Sequence, residues 1–262
     1  MRLQKIKQQG FSLVEMAIVL VILGFVLTAL LLPLRAQREQ AAQLQTINTL
    51  ETAKQALLGF AQANGRLPCP VIAGSGIAVP NASGACTQQV GFLPAATLGL
   101  QPIDANGFAL DAWNNRIRYA VTQAIVNDIA QTSAPDYAFT TASGMSNSGI
   151  NSLKPSLRVC ATVSTSTLTC SLPVSAASPE KNYLINNAVV VIYSTGATGS
   201  LVVGGADENE NLNPSLVSLP NQIDTVFVSH DITAAPNEFD HLVTWISPYV
   251  LYNAMIQAGQ LH

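Results

Sequence analysis

Glu15 is the one charge in Leu13–Leu32 (LVEMAIVLVILGFVLTALLL), a run of 20 residues. A carboxylate at the centre of a membrane helix costs about 2.5–3.5 kcal/mol on insertion scales, and less near an interface. It needs a cation or a proton, and the run holds no Lys or Arg. Just upstream, Gly10 joins a basic leader (Arg2, Lys5, Lys7) to Phe11. Scission after Gly10 would give Phe11 a free amine, and the amine of a neighbouring copy could then pair with Glu15. The chemistry implied is processing followed by charge pairing between chains, not catalysis.

Other residue sets are weaker candidates. Asp207, Asn209 and Asn211 have the 1-3-5 spacing of oxygen ligands in calcium loops. Leu212 stands where an EF-hand requires Gly, and the twelfth position is Ser218 instead of Glu. The competing reading is an acidic, Asn-rich turn. Ser229–His230–Asp231 contains the residue types of a hydrolytic relay, but neighbours on a strand point to opposite faces. His241 has no identifiable partner, and the three His read as surface residues. Gly196 and Gly199 in STGATGS lack the Lys and the full spacing of a phosphate loop. The expectation is that the chain is not an enzyme and needs no cofactor beyond a calcium ion at the Asp207 set.

The four cysteines fall into two local pairs, Cys69 with Cys86 and Cys160 with Cys170. No C-x-x-C occurs and His is too scarce for a zinc set. An exported chain with an even count favours disulfides. Three connectivities are open; the local one fits the spacing best, and buried free thiols are the alternative.

The elements that must position these residues begin with the apolar run. Its length suits about 30 Å of hydrocarbon. A signal peptide has a shorter apolar core of about 7–15 residues and a small-x-small cleavage site, and no such site precedes Pro33. Three cations before the run, against Arg35 and Arg38 offset by Glu39 after it, place the N-terminus in the cytoplasm and the rest outside. Beyond Arg35, Leu44, Ile47, Leu50, Leu57, Leu58 and Ala61 keep a 3–4 spacing among polar residues. Asn64–Gly65 reads as a C-cap and Pro68 bars continuation.

The string Gly10–Gly24, GFSLVEMAIVLVILG, resembles the class III signal of type IV pilins and type II secretion pseudopilins. The resemblance implies cleavage after Gly10 by a membrane prepilin peptidase, N-methylation of Phe11, and ordering of subunits into a filament by Glu15. It implies other pilin or pseudopilin subunits and an inner-membrane assembly platform as partners. Gly24 and Pro33 would weaken the helix locally. Major pseudopilins also bind calcium in a loop of the region that holds Asp207. Head segments RLPCP (66–70), GFLPAATLGL (91–100), DAWNNRIRYAV (111–121) and FDHLVTWISP (239–248) are similar to prepilin-type proteins with large heads. Ala112 and Asn115 depart from the Asp-Pro-Trp-Gly strand entry of major pseudopilins.

The implied organisation is a leader (1–10), a transmembrane half-helix (11–34), an amphipathic half (35–64) and a head (65–262). The implied class is α+β and pilin-like, with the long helix packed on an antiparallel sheet and a short terminal helix. Strands are expected in Asn115–Gln123, Ala188–Tyr193, Thr225–Ser229 and Leu242–Ile246. A hairpin of Leu157–Val163 and Thr167–Leu172 would be stapled by Cys160 and Cys170. Gln131–Pro155 reads as a long exposed loop. Ser247 and Pro248 open the final helix, with Leu251, Ala254, Met255 and Ala258 on its apolar face. From Asn182 to His262 there are seven acids and no Lys or Arg, which argues against a nucleic-acid groove in that half. The expected subunit sits in the inner membrane with a periplasmic head and then in a filament, as a minor component. The alternative is a single-pass membrane-anchored periplasmic binding or enzymatic domain that keeps its leader.

Overall fold

The computed structural model describes residues 12–72, 74–80, 86, 88–122, 137–163, 170, 183–199, 205–212, 216–219, 222–234 and 238–261. Side chains of 28–35, 216–219 and 222–225 are outside that description. The chain divides into two compact units, 1–44 and 45–262.

Helix α1 is Leu13–Asn64. In the first unit its side chains from Leu13 to Leu27 are exposed, and apart from Glu15 they are apolar. Among the described residues no helix is long and apolar enough to cross a membrane. The rest of the run that the sequence reading assigned to the bilayer falls in 28–35. In the second unit α1 buries Thr46, Leu50, Ala53, Leu57 and Ala61. Those positions recur every three or four residues, so one face of the helix meets the core. Leu44 and Ile47, expected on that face, are 63% and 48% exposed. Gly65 ends the helix at φ 65°, a left-handed conformation that costs glycine nothing.

The head contains β1 (Val90–Phe92), α2 (Ala95–Leu98), β2 (Arg118–Val121), α3 (Gly144–Ser148), β3 (Leu157–Cys160), β4 (Tyr183–Ala188) and β5 (Val190–Ser194). It continues with α4 (Ala206–Leu212), β6 (Leu216–Leu219), β7 (Gln222–Val228), β8 (Leu242–Ile246) and α5 (Pro248–Gln257). The expected single antiparallel sheet is two four-stranded sheets, ordered β1-β2-β5-β8 and β4-β3-β7-β6. The first is antiparallel throughout. The second is mixed, because β3 runs parallel to β7 and antiparallel to β4. The second arm of the expected hairpin, Thr167–Leu172, lies outside the described residues apart from Cys170.

Strand β5 explains the layering. Its apolar run VVIY is buried at every position, so both faces of the sheet are covered. Val190 and Ile192 join the core beneath α1 and α5. Val191 and Tyr193 point the other way, toward Leu157, Val159 and Phe227 of the second sheet. The period-2 alternation of one strand thus feeds two cores. The chain changes sheets at Val189, whose N–H donates to Ile246 O and whose carbonyl accepts from Thr122.

Two further expectations change. In the Gln131–Pro155 segment, Ala138, Phe139, Met145 and Leu153 are buried in the main core, so the described part of that stretch is not an exposed loop. The buried stripe of α5 is Pro248, Leu251, Tyr252 and Met255. Tyr252 replaces Ala254 and Ala258 because its ring stacks on Phe139 at 6.5 Å. Ser247 caps α5, accepting from Val250 N–H at 3.4 Å, with Pro248 at the first position as expected.

Candidate functional site

Gly10 and Phe11 lie outside the described residues. The structure begins at Ser12, whose Oγ accepts from Val14 N–H at 3.2 Å while its carbonyl accepts from Glu15 and Met16 N–H. Ser12 is therefore an N-cap, and Ser12-x-x-Glu15 has the spacing of a capping box. Glu15 sits in the first turn of α1, where the exposed N–H groups and the helix dipole favour a negative charge. The S-x-x-E spacing is a local sequence signal. Around Glu15 the surface is apolar: Val14, Met16, Ile18, Val19 and Ile22 are each about half exposed or more.

Both local disulfides form, Cys69–Cys86 and Cys160–Cys170. Cys160 is the last residue of β3, so the second bridge fixes Cys170 against the mixed sheet and its small core of Val226, Val228 and Phe239.

The Asp207 set is corrected by its local structure. Ala206–Leu212 is a helix, not a loop, and residues two apart on a helix do not face one another. Asp207 accepts from Thr162 Oγ at 3.0 and 3.1 Å and from Val163 N–H at 2.9 Å, and faces His230 Nε2 at 3.4 Å. Asn211, fully buried, accepts from Val228 N–H at 2.8 Å and donates to Val228 O at 2.9 Å. Asn209 is exposed. These side chains have separate structural duties and do not converge on an ion.

Ser229, His230 and Asp231 do not form a relay either. His230 Nδ1 contacts the backbone carbonyl of Asp231 at 2.7 Å, and its other nitrogen faces Asp207. Its ring stacks on Phe239 with centroids 3.9 Å apart. The pair borders a cleft of about 480 Å³ that Thr162, Thr233, Glu238 and Phe239 also line. Thr162, one of two threonines in that cleft, donates to Asp207.

His241 is not a surface residue: it is 2% exposed, with Asn211 Nδ2 3.2 Å from its Nδ1. Burial pushes its pKa down to about 4, with the Asp240 charge opposing the fall. Asp111, the first residue of DAWNNRIRY, is the other polar residue whose importance the sequence left unread. Its Oδ1 accepts from Trp113 N–H at 2.9 Å and Asn115 N–H at 2.7 Å, and its Oδ2 from Ser194 Oγ at 2.6 Å. In STGATGS, Thr198 N–H and Oγ donate to Asp240 at 2.8 and 3.0 Å. The loop thus serves a carboxylate of the chain itself instead of a phosphate.

Residues 5–31 match the model of the prokaryotic N-terminal methylation motif. The chain carries the signal of type IV pilins and pseudopilins. The match spans Gly10, Phe11 and Glu15 and ends within α1, so it concerns the N-terminal unit and not the head. Neither curated proteins nor solved structures give a match to the chain. The methylation motif accounts for Lys5, Lys7, Gly10, Phe11 and Glu15 together.

Proposed function

We propose that this chain is a filament subunit, cleaved after Gly10, methylated at Phe11, and assembled through α1 as a minor component of a type IV pilus or type II secretion pseudopilus. The observation that carries the reading is the methylation motif, placed on a helix whose described first turns are apolar and exposed. Before assembly the apolar run Leu13–Leu32 anchors the chain in the inner membrane, with the basic leader in the cytoplasm. Prepilin peptidase, the assembly platform and other subunits are its partners. In the filament, the Phe11 amine of one subunit pairs with Glu15 of the next. Ser12 supports that pairing by closing the helix start, which keeps the acid close to the new terminus. The role is structural and not enzymatic.

Mass spectrometry of the protein from its native membrane tests the processing. The expected species begins at Phe11 with one added methyl group; retention of the leader would overturn the proposal. Glu15→Ala tests the pairing. Insertion should be intact or improved, since a costly charge is removed, while recovery of the subunit in sheared filaments falls. Normal recovery would show that Glu15 has no assembly role.

A further inference from the structure

Glu208, Asp240 and His241 each offer one ligand atom, and the three atoms lie within 4.8 Å of one another. Helix α4 supplies the first, and the two residues before β8 supply the others. Glu208 is 1% exposed and His241 2%. Each group is steadied through one of its polar atoms. Glu208 Oε1 accepts from Asp240 N–H at 2.9 Å, Asp240 Oδ2 accepts from Thr198 N–H and Oγ, and His241 Nδ1 faces Asn211. The atoms left over, Asp240 Oδ1 and His241 Nε2, are buried with no hydrogen-bond partner among the described residues. Buried polar atoms nearly always find a partner. Two orphans beside a buried second carboxylate call for a common one.

We propose that Glu208, Asp240 and His241 bind one divalent first-row transition ion of the zinc class. Two carboxylates and an imidazole suit such an ion, whereas calcium and magnesium take oxygen ligands. The two carboxylates, each held by a hydrogen bond through a second oxygen, are aimed in the way metal ligands are. The charges agree with the geometry. Burial pushes Glu208 up to about 7; the Asp240 N–H opposes the rise and the Asp240 carboxylate adds to it. A dication removes the cost of holding the two carboxylates together out of water.

Asn211 opposes binding. Its amide orientation is set by the paired bonds to Val228, so Nδ2 faces His241 Nδ1. Coordination through Nε2 moves the ring proton to Nδ1 and forfeits that hydrogen bond. The site is accordingly weaker than one in which a carboxylate backs the imidazole. With Glu208 and His241 out of solvent, the ion ties α4 to the chain entering β8 and meets no substrate.

The test uses the full-length chain in detergent micelles, stripped with a chelator and titrated calorimetrically with ZnCl₂ or CaCl₂. One Zn²⁺ per chain is expected, with a raised melting temperature and no response to Ca²⁺. Thr198→Val should weaken binding about tenfold, the lower end for a residue that holds a ligand. His241→Gln should abolish binding, and His230→Gln should leave it unchanged. Failure of the unaltered chain to bind zinc, or equal binding by His241→Gln, would overturn the proposal. If circular dichroism shows that His241→Gln is unfolded, Co²⁺ added to the unaltered chain decides. Visible absorption bands that Zn²⁺ displaces support the site, and their absence rules it out.

Discussion

Asp111→Ala should be among the most damaging polar substitutions in the head. Asp111 is 5% exposed and closes the turn that leads into β2. Its carboxylate accepts from Trp113 N–H, Asn115 N–H, Asn115 Nδ2 and Ser194 Oγ. Four bonds do not mean four losses. Asn115 Nδ2 also donates to Gly196 O at 2.6 Å, and Ser194 Oγ also accepts from Gly196 N–H at 3.0 Å, so both keep a partner. What alanine strands is the pair of part-buried backbone N–H groups and the hydroxyl proton of buried Ser194. At the lower end of about 1–3 kcal/mol for each of the three unsatisfied donors, the expected loss is about 3–5 kcal/mol. Asp111→Asn retains an oxygen for those N–H groups but turns a donor toward Asn115 Nδ2, so it should cost about 1–2 kcal/mol. Urea unfolding of the full-length chain in micelles measures both, with fluorescence of Trp113, within the turn, as a local reporter. Ser194→Ala combined with Asp111→Ala should show coupling of about 0.5–3 kcal/mol. A loss below about 1 kcal/mol for alanine, the range of an ordinary substitution, would refute this account. So would asparagine being as harmful as alanine.

Two further predictions concern the helix face and the first disulfide. Leu57→Ala should cost about 2–5 kcal/mol as a fully buried core truncation, while Ile47→Ala, at 48% exposure, should stay within about 0.5 kcal/mol in the isolated chain; equal urea midpoints for the two would place the buried face wrongly. Replacing Cys69 and Cys86 together by Ser opens a loop with a sequence separation of 17 and should cost about 3 kcal/mol, read as a lowered melting temperature under oxidising conditions, a difference that vanishes when both proteins are fully reduced.

Local chemistry made much of this chain legible. The C-cap at Gly65, the Ser247–Pro248 helix start, strand Leu242–Ile246 and both cysteine pairs depend on residues close in sequence, and each was found where local rules put it. Leu44 and Ile47 fit a 3–4 spacing with Leu50 and Leu57 yet are exposed. A spacing defines a face without saying which of two faces meets the head, and the buried one is Thr46, Leu50, Ala53, Leu57 and Ala61. The hydroxyl of Thr46 finds Ala112 N–H at 3.1 Å, a partner 66 residues away. The expected calcium loop failed for a related reason. Asp207, Asn209 and Asn211 were read by spacing alone, and spacing has a different meaning on a helix.

By itself the sequence determined the signal of the N-terminal unit: the Gly10–Phe11 pair, the one acid in an apolar run, and the methylation motif at residues 5–31. That signal is recognised as a linear string, so linear order suffices to state it. The head is different. Whether β3 takes a parallel partner, whether β5 is covered on both faces, and whether His241 lies in solvent or beside two carboxylates depend on contacts between distant segments. Glu208 and His241 are 33 positions apart, and only the packing of α4 against the chain entering β8 brings them together.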